Sequence, residues 1–206
     1  MILVHASPCN LIVDHGHPSN LGVLSSPRCV YRDADDLGYR WAADNDAYLA
    51  WDEKKYLRML EVISEIPGCL FVTVPDVVGD AKATLDRFDE WENRVRATGH
   101  PVAFVVQNGV DEHPVPWDRV DAVFIGGTDD GHPPFKFGPV AAEVCREARR
   151  RGKWLHMGRV NTHKRIRYAK SLGCDSVDGT NFSMYRRTKL PKALRWALSE
   201  QLWSPA

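Results

Sequence analysis

Short apolar runs alternate along this chain with amphipathic stretches. Eight runs predict strands: Ile2–His5, Leu21–Leu24, Arg40–Ala43, Cys69–Val74, Val102–Val106, Ala122–Ile125, Trp154–Met157 and Ser176–Val177. Most are apolar almost throughout, as expected of strands buried on both faces of a parallel sheet. Helical spacing lies between the later runs. Asp52–Ile66 sets Tyr56, Met59, Leu60 and Ile63 at i, i+3, i+4 and i+7. Asp80–Thr98 and Gly138–Arg151 read likewise, Thr162 caps a helix that Gly173 stops after Leu172, and Lys192–Leu202 forms a last helix. There is no internal repeat. The order predicts an α/β fold, a compact (β/α)8 TIM-like barrel with residues 1–206 as a single domain, although 206 residues is short against the roughly 250 usual for that fold. Residues 6–40 are rich in Pro, Gly, His and Asp, so the first two crossovers read as loops or the barrel as incomplete. A doubly wound open sheet is the alternative.

Composition narrows the class. A chain 44% hydrophobic and 26% charged is ordinary for a globular domain and excludes disordered and collagen-like classes. No apolar run approaches the roughly 18–20 residues that span a bilayer. The opening MILVHASPCN has no basic region ahead of a long apolar stretch, which speaks against a signal peptide. Five scattered cysteines without a C-x-x-C pair suit a reducing, cytoplasmic compartment and no structural zinc knot.

Net charge is zero, yet residues 1–143 carry about −11 and residues 144–195 about +12. Arg146, Arg149, Arg150, Arg151 and Lys153 read equally well as the solvated face of a helix. Arg159, Lys164, Arg165, Arg167, Lys170, Arg186, Arg187 and Lys189 instead flank loops at the carboxyl ends of strands, where a basic face would bind phosphates.

Those strand ends hold the candidate chemistry, since parallel α/β folds place their sites there. In order they read Asp44-Asn45-Asp46, Pro75-Asp76, Gln107-Asn108-Gly109, Gly126-Gly127-Thr128, His156-Met157-Gly158-Arg159 and Asp178-Gly179-Thr180-Asn181. Singly, each is a common turn or cap. Together they bring three carboxylates, an amide and glycine turns to one mouth, where crowding splits carboxyl pKa values into an acid and a nucleophile. A planar heterocycle would suit the remaining donors and acceptors.

The ordered set resembles the tRNA-guanine transglycosylase superfamily, and within it the shortened DpdA-like deazapurine-in-DNA branch of phages and bacteria. Asp44-Asn45-Asp46-Ala47-Tyr48 looks like the family's D-S-G-G-F, Val74-Pro75-Asp76 like its guanine-reading strand end, and Gln107-Asn108-Gly109 like V-Q-G. Gly126-Gly127-Thr128 looks like G-G-L, His156-Met157-Gly158 like L-M-G, and the segment from Gly173 to Asp178 like G-x-D-x-x-D. The likeness runs in register from about residue 40 to 185. Two departures stand out: Asn45-Asp46-Ala47 replaces Ser-Gly-Gly, and the C-x-C-x-x-C…H zinc site is absent, which implies a barrel without the zinc-binding tRNA subdomain.

The resemblance implies exchange of guanine in DNA for a 7-deazaguanine base such as 7-cyano-7-deazaguanine. Asp178 would be the covalent nucleophile and Asp44 the general acid/base. Asn45, Asp76, Gln107, Gly126, Gly127 and Gly158 would bind the purine edge, with Met157 on its face. Arg159, Lys164, Arg165, Arg186, Arg187 and Lys189 would hold phosphates of DNA whose guanine is flipped or single-stranded. No metal or organic cofactor is required, and a homodimer is implied by resemblance alone.

Three rivals compete with this reading. The first is a metal-dependent barrel hydrolase using the H-x-H of His15 and His17, with His132, His156 and Asp178 as further ligands. The second is a catalytically inactive DNA-binding barrel. The third is a glycosidase in which water completes the reaction.

Overall fold

The computed structural model describes residues 19–34, 36, 38–131 and 133–198, together with the backbone of residues 2–5. Eight parallel strands are β1 (Ile2–His5), β2 (Leu21–Ser25), β3 (Arg40–Ala43), β4 (Cys69–Thr73), β5 (Val102–Val106), β6 (Ala122–Ile125), β7 (Trp154–Met157) and β8 (Ser176–Asp178). They lie side by side in chain order, and β1 pairs with β8 as well as with β2. The predicted strands therefore all form, with Asp178 drawn into the last one.

Period-two alternation divides the strand side chains between two cores. Trp41, Val72, Phe104, Val106, Val123, Ile125, Leu155, Met157 and Val177 point outward and pack with the helices in the larger core. Leu24, Ala42, Phe71, Ala103, Val105, Ala122 and Phe124 point inward and fill the space the strands enclose. A near-continuous apolar run is what two buried faces require.

The helices are α1 (Glu53–Ile63), α2 (Ala81–Arg96), α3 (Pro139–Arg150), α4 (His163–Ser171), α5 (Thr180–Met184) and α6 (Leu190–Leu198). Asp52, Asp80 and Thr162 cap α1, α2 and α4, each accepting a backbone N–H two or three residues into the helix. Pro139 opens α3 at a position where its missing N–H costs nothing. Strand–helix alternation is incomplete, as the Pro- and Gly-rich early crossovers led one to expect. Among the described residues, no α-helix joins β2 to β3, and a single 3-10 turn, Trp117–Arg119, stands between β5 and β6. The short helix α5 was not expected, and α6 begins two residues before its predicted start. No helix among the described residues is long and apolar enough to cross a membrane.

The arginines of α3 settle into helix-surface ion pairs. Arg146 pairs with Glu143, Arg150 and Arg151 with Glu147, and Arg149 with Asp175 at 3.1 Å. Such exposed pairs contribute little to stability, because water and salt screen them.

Candidate active site

The carboxyl ends of β3, β4, β5, β7 and β8 bring Asp44, Asn45, Asp76, Gln107, His156 and Asp178 to one mouth. Asn45 is buried, and its Nδ2 lies within hydrogen-bond distance of Thr73 Oγ1 (3.1 Å), the Val74 carbonyl (3.0 Å) and Asp76 Oδ1 (2.8 Å). Gln107 Nε2 donates to Asp76 Oδ2 at 2.6 Å, while its Oε1 accepts the N–H of Gly79 (2.9 Å) and of Gly127 (3.0 Å). Burial pushes the Asp76 carboxyl up, and the donors on it oppose that rise.

This network alters the expected roles. Asp76, Gln107 and Gly127 were expected to meet the purine edge, but each is occupied by the others. They hold the mouth's frame. Gly127 is compulsory there: its φ is +81°, and a Cβ would lie 2.2 Å from Phe135 Cδ1. Gly126 lies beside the Gln107 amide, where a Cβ would stand 3.0 Å from Nε2.

Two carboxyls are left with different surroundings. Asp178 Oδ1 accepts the Arg159 N–H (3.1 Å), and its Oδ2 lies 3.0 Å from His156 Nε2. His156 is fully buried between the rings of Phe71 and Phe124. Because Nε2 faces a carboxylate, it carries a proton. Trp154 Nε1–H donates to Ser176 Oγ at 2.9 Å, and Ser176 turns its own hydrogen to His156 Nδ1 at 2.8 Å. A relay of three side chains, Trp154, Ser176 and His156, thus ends on this carboxylate, and one backbone N–H, that of Arg159, joins it there. Arg159 adopts φ +60° to aim its N–H there, a conformation that costs a non-glycine residue about 1–2 kcal/mol.

Asp44 Oδ1 accepts the Asn45 N–H at 2.9 Å and sits 3.4 Å from Thr73 Oγ1; no hydrogen bond among the described residues reaches Oδ2. Burial, then the charges of Asp76, Asp178 and Asp46, push its carboxyl from the ordinary 3.8 to about 7.

The remaining expectations fall variously. Met157 does not face the mouth: its neighbour His156 takes the inward position, so Met157 points into the outer core. Gly158 lies under the Phe124 ring, where a Cβ would stand 2.5 Å from Cε1. Arg159 stacks on the exposed ring of Tyr48 at 4.0 Å and, with Arg165, turns toward Asp129. Lys164, Arg187 and Lys189 are exposed and Arg186 is half-buried. His15, His17 and His132 lie outside the described residues, and no group of three His, Cys, Asp or Glu side chains among those described is placed to hold a metal.

His156, Thr73, Lys136 and Asp129 belong to the site but were missed or misread. For His156 the signal was its position, one residue from Met157 and two from Trp154 in an alternating strand. Lys136 and Asp129 carry no local signal, because distant residues surround them.

No family model and no curated protein matches the chain. Solved structures share the fold. A mandelate oxidase variant with 3,3,3-trifluoro-2,2-dihydroxypropanoic acid is 15% identical with a TM-score of 0.57, over 94% of this chain and 71% of that one. A mandelate oxidase variant with a C4a-OH-FMN adduct is 14% identical with a TM-score of 0.56, over 95% and 71%. The BexX/CysO complex of Amycolatopsis orientalis is 13% identical with a TM-score of 0.53, over 100% of this chain and 93% of that one. These likenesses establish the fold, an α/β arrangement of the TIM-barrel kind. They also correct the functional expectation. The neighbours are oxidase and BexX/CysO structures rather than base-exchange enzymes, so guanine exchange in DNA, with the glycosyltransferase and DNA-modification roles attached to it, is withdrawn together with its hydrolase and inactive-barrel alternatives.

Proposed function

We propose that this chain is an enzyme, a general acid–base catalyst acting on a small polar molecule at the mouth of a TIM-like (β/α)8 barrel. The observation that carries the reading is the unequal setting of two carboxyls in one mouth. Asp178 is fixed as an acceptor by His156 and the Arg159 N–H, whereas Asp44 has an oxygen left open and holds its proton close to neutrality. Asp44 donates that proton to an oxygen or nitrogen of the substrate and takes one back as the reaction completes. Asp178, held as an acceptor by His156 and the Arg159 N–H, steadies positive charge that develops on the substrate. Asn45, Gln107 and Asp76 keep Asp44 and its strand in place.

Turnover of a panel of small polar metabolites, followed against pH, tests this. The rate is expected to change around pH 7 with the state of Asp44. Asp44→Asn lowers kcat by about 10²–10⁴-fold and erases that limb. An Asp44→Asn protein with the wild-type rate and pH profile would end the proposal.

FMN, present in one neighbour, does not fit this mouth. Barrels commonly bind phosphate on backbone N–H groups after the seventh and eighth strands. Here those backbone groups are engaged, Arg159 and Val160 donating to Asp178, Asn181 to Asn161 and Phe182 to Gly179, so that side chains would have to hold any phosphate at this end and the ring decides the fit. Asp178, fixed as an acceptor, would set carboxylate lone pairs against the carbonyl and nitrogen lone pairs of a flavin ring. Descent from the transglycosylase superfamily remains a proposal supported by the strand-end motifs, separate from that family's reaction.

A further inference from the structure

Lys136, in the 3-10 turn Phe135–Phe137, has a side chain only 1% exposed. An ammonium group offers three hydrogens, yet a single hydrogen bond engages it, to the Gly158 carbonyl at 3.0 Å. The Asp129 carboxylate is nearest in charge, with Lys136 Nζ at 3.9 Å, Arg159 Nη2 at 3.8 Å and Arg165 Nη1 at 3.6 Å. None of the three is a hydrogen bond, and Asp129 Oδ1 is buried without a hydrogen-bond partner. Three cations therefore surround one carboxylate that satisfies none of them. The arrangement continues into the mouth, since Asp178 also acts on Lys136 through its charge. A buried cation without good acceptors is costly, and an anion with more oxygens and more charge than Asp129 would supply the acceptors.

We infer that Lys136, Arg159 and Arg165 form a subsite for a dianionic phosphate monoester, which takes the place the Asp129 carboxylate now fills. Two arginine forks and an ammonium match the three terminal oxygens of such a group. This deepens the acid–base reading by giving the substrate class, a small molecule whose phosphate docks beside Asp178. Binding is measured without turnover, so the two readings fail separately.

The test is a titration with inorganic phosphate at constant ionic strength, followed by NMR shifts of the protein. Saturable binding is expected, with methyl phosphate competing and the monoanionic dimethyl phosphate competing poorly. Arg165→Gln, at a half-exposed position, weakens binding about tenfold or more. Asp129→Asn tightens it, because the resident competitor loses its charge, whereas a merely structural ion-pair cluster would gain no affinity. Absence of saturable binding in both the wild type and Asp129→Asn overturns the proposal, as does equal affinity in Arg165→Gln. Equal competition by dimethyl phosphate overturns the choice of a monoester over a polymer's diester.

Discussion

Asp44 and Asp178 are the same residue type with opposite surroundings, and this difference has a measurable effect on stability. A carboxyl raised from 3.8 to about 7 binds its proton more tightly folded than unfolded. It therefore favours the fold fully below pH 4, and that contribution is lost as pH rises through 7. Asp44→Asn mimics the protonated form and keeps an acceptor for the Asn45 N–H. Urea denaturation is expected to show it more stable than the wild type by about 1–4 kcal/mol at pH 8, with the difference vanishing near pH 4. Ser176 gives a second prediction. Ser176→Ala removes the partner of both Trp154 Nε1 and His156 Nδ1, and unfolding should become easier by about 1–3 kcal/mol. Nitrogen-15 spectra of the wild-type imidazole should place the proton on Nε2. Asp44, Asp76, Gln107 and Asp178 were legible in the sequence because each follows an apolar run directly. Their division of labour was not. The locking of Gly127 onto Gln107 spans 20 residues, and the burial that raises Asp44 comes from the whole mouth.

Helices and strands were more readable than side-chain roles. Thr162 was read as a cap and is one, and the helical stretches predicted from Asp52 and Asp80 begin at the residues that cap α1 and α2, because a short polar side chain before an amphipathic run has a local physical task. The inward or outward sense of each strand was harder, since apolar residues occupy both faces. Met157 was misassigned for that reason, and the relay through His156 was hidden with it. The turn after β6 shows how closely these elements approach. Gly127→Ala must accommodate a Cβ against Phe135 at φ +81°. A loss of about 2–4 kcal/mol is expected from strain and overpacking together, measured as a lowered urea midpoint with an unchanged slope.

On the scale of the molecule, the acidic first part and basic last part of the chain contribute strands to one sheet. β1–β6 come from the first part and β7 and β8 from the last, so the two meet where β6 pairs with β7 and where β8 pairs with β1. Part of the basic excess pairs on the outside of α3, while Arg159 and Arg165 join Lys136, which comes from the acidic part, beside the mouth. Charge counting revealed the excess but not this partition, which depends on the handedness and order of the crossovers. The stretch between β5 and β6 was legible, by contrast: no helical spacing was predicted there, Pro114 and Pro116 interrupt it, and among the described residues it holds only the 3-10 turn Trp117–Arg119.

The pairing of β1 with β8 means that a cut between β4 and β5 leaves two pieces, each with two raw strand edges that only the other piece matches. Residues 1–99 and 100–206 expressed apart should therefore aggregate through those edges. Expressed together they should assemble into a one-to-one complex with the circular dichroism of the intact chain. The seam between first and last strands would then serve as a reporter: a split signal protein fused to the pieces lights up only when both edges have found each other.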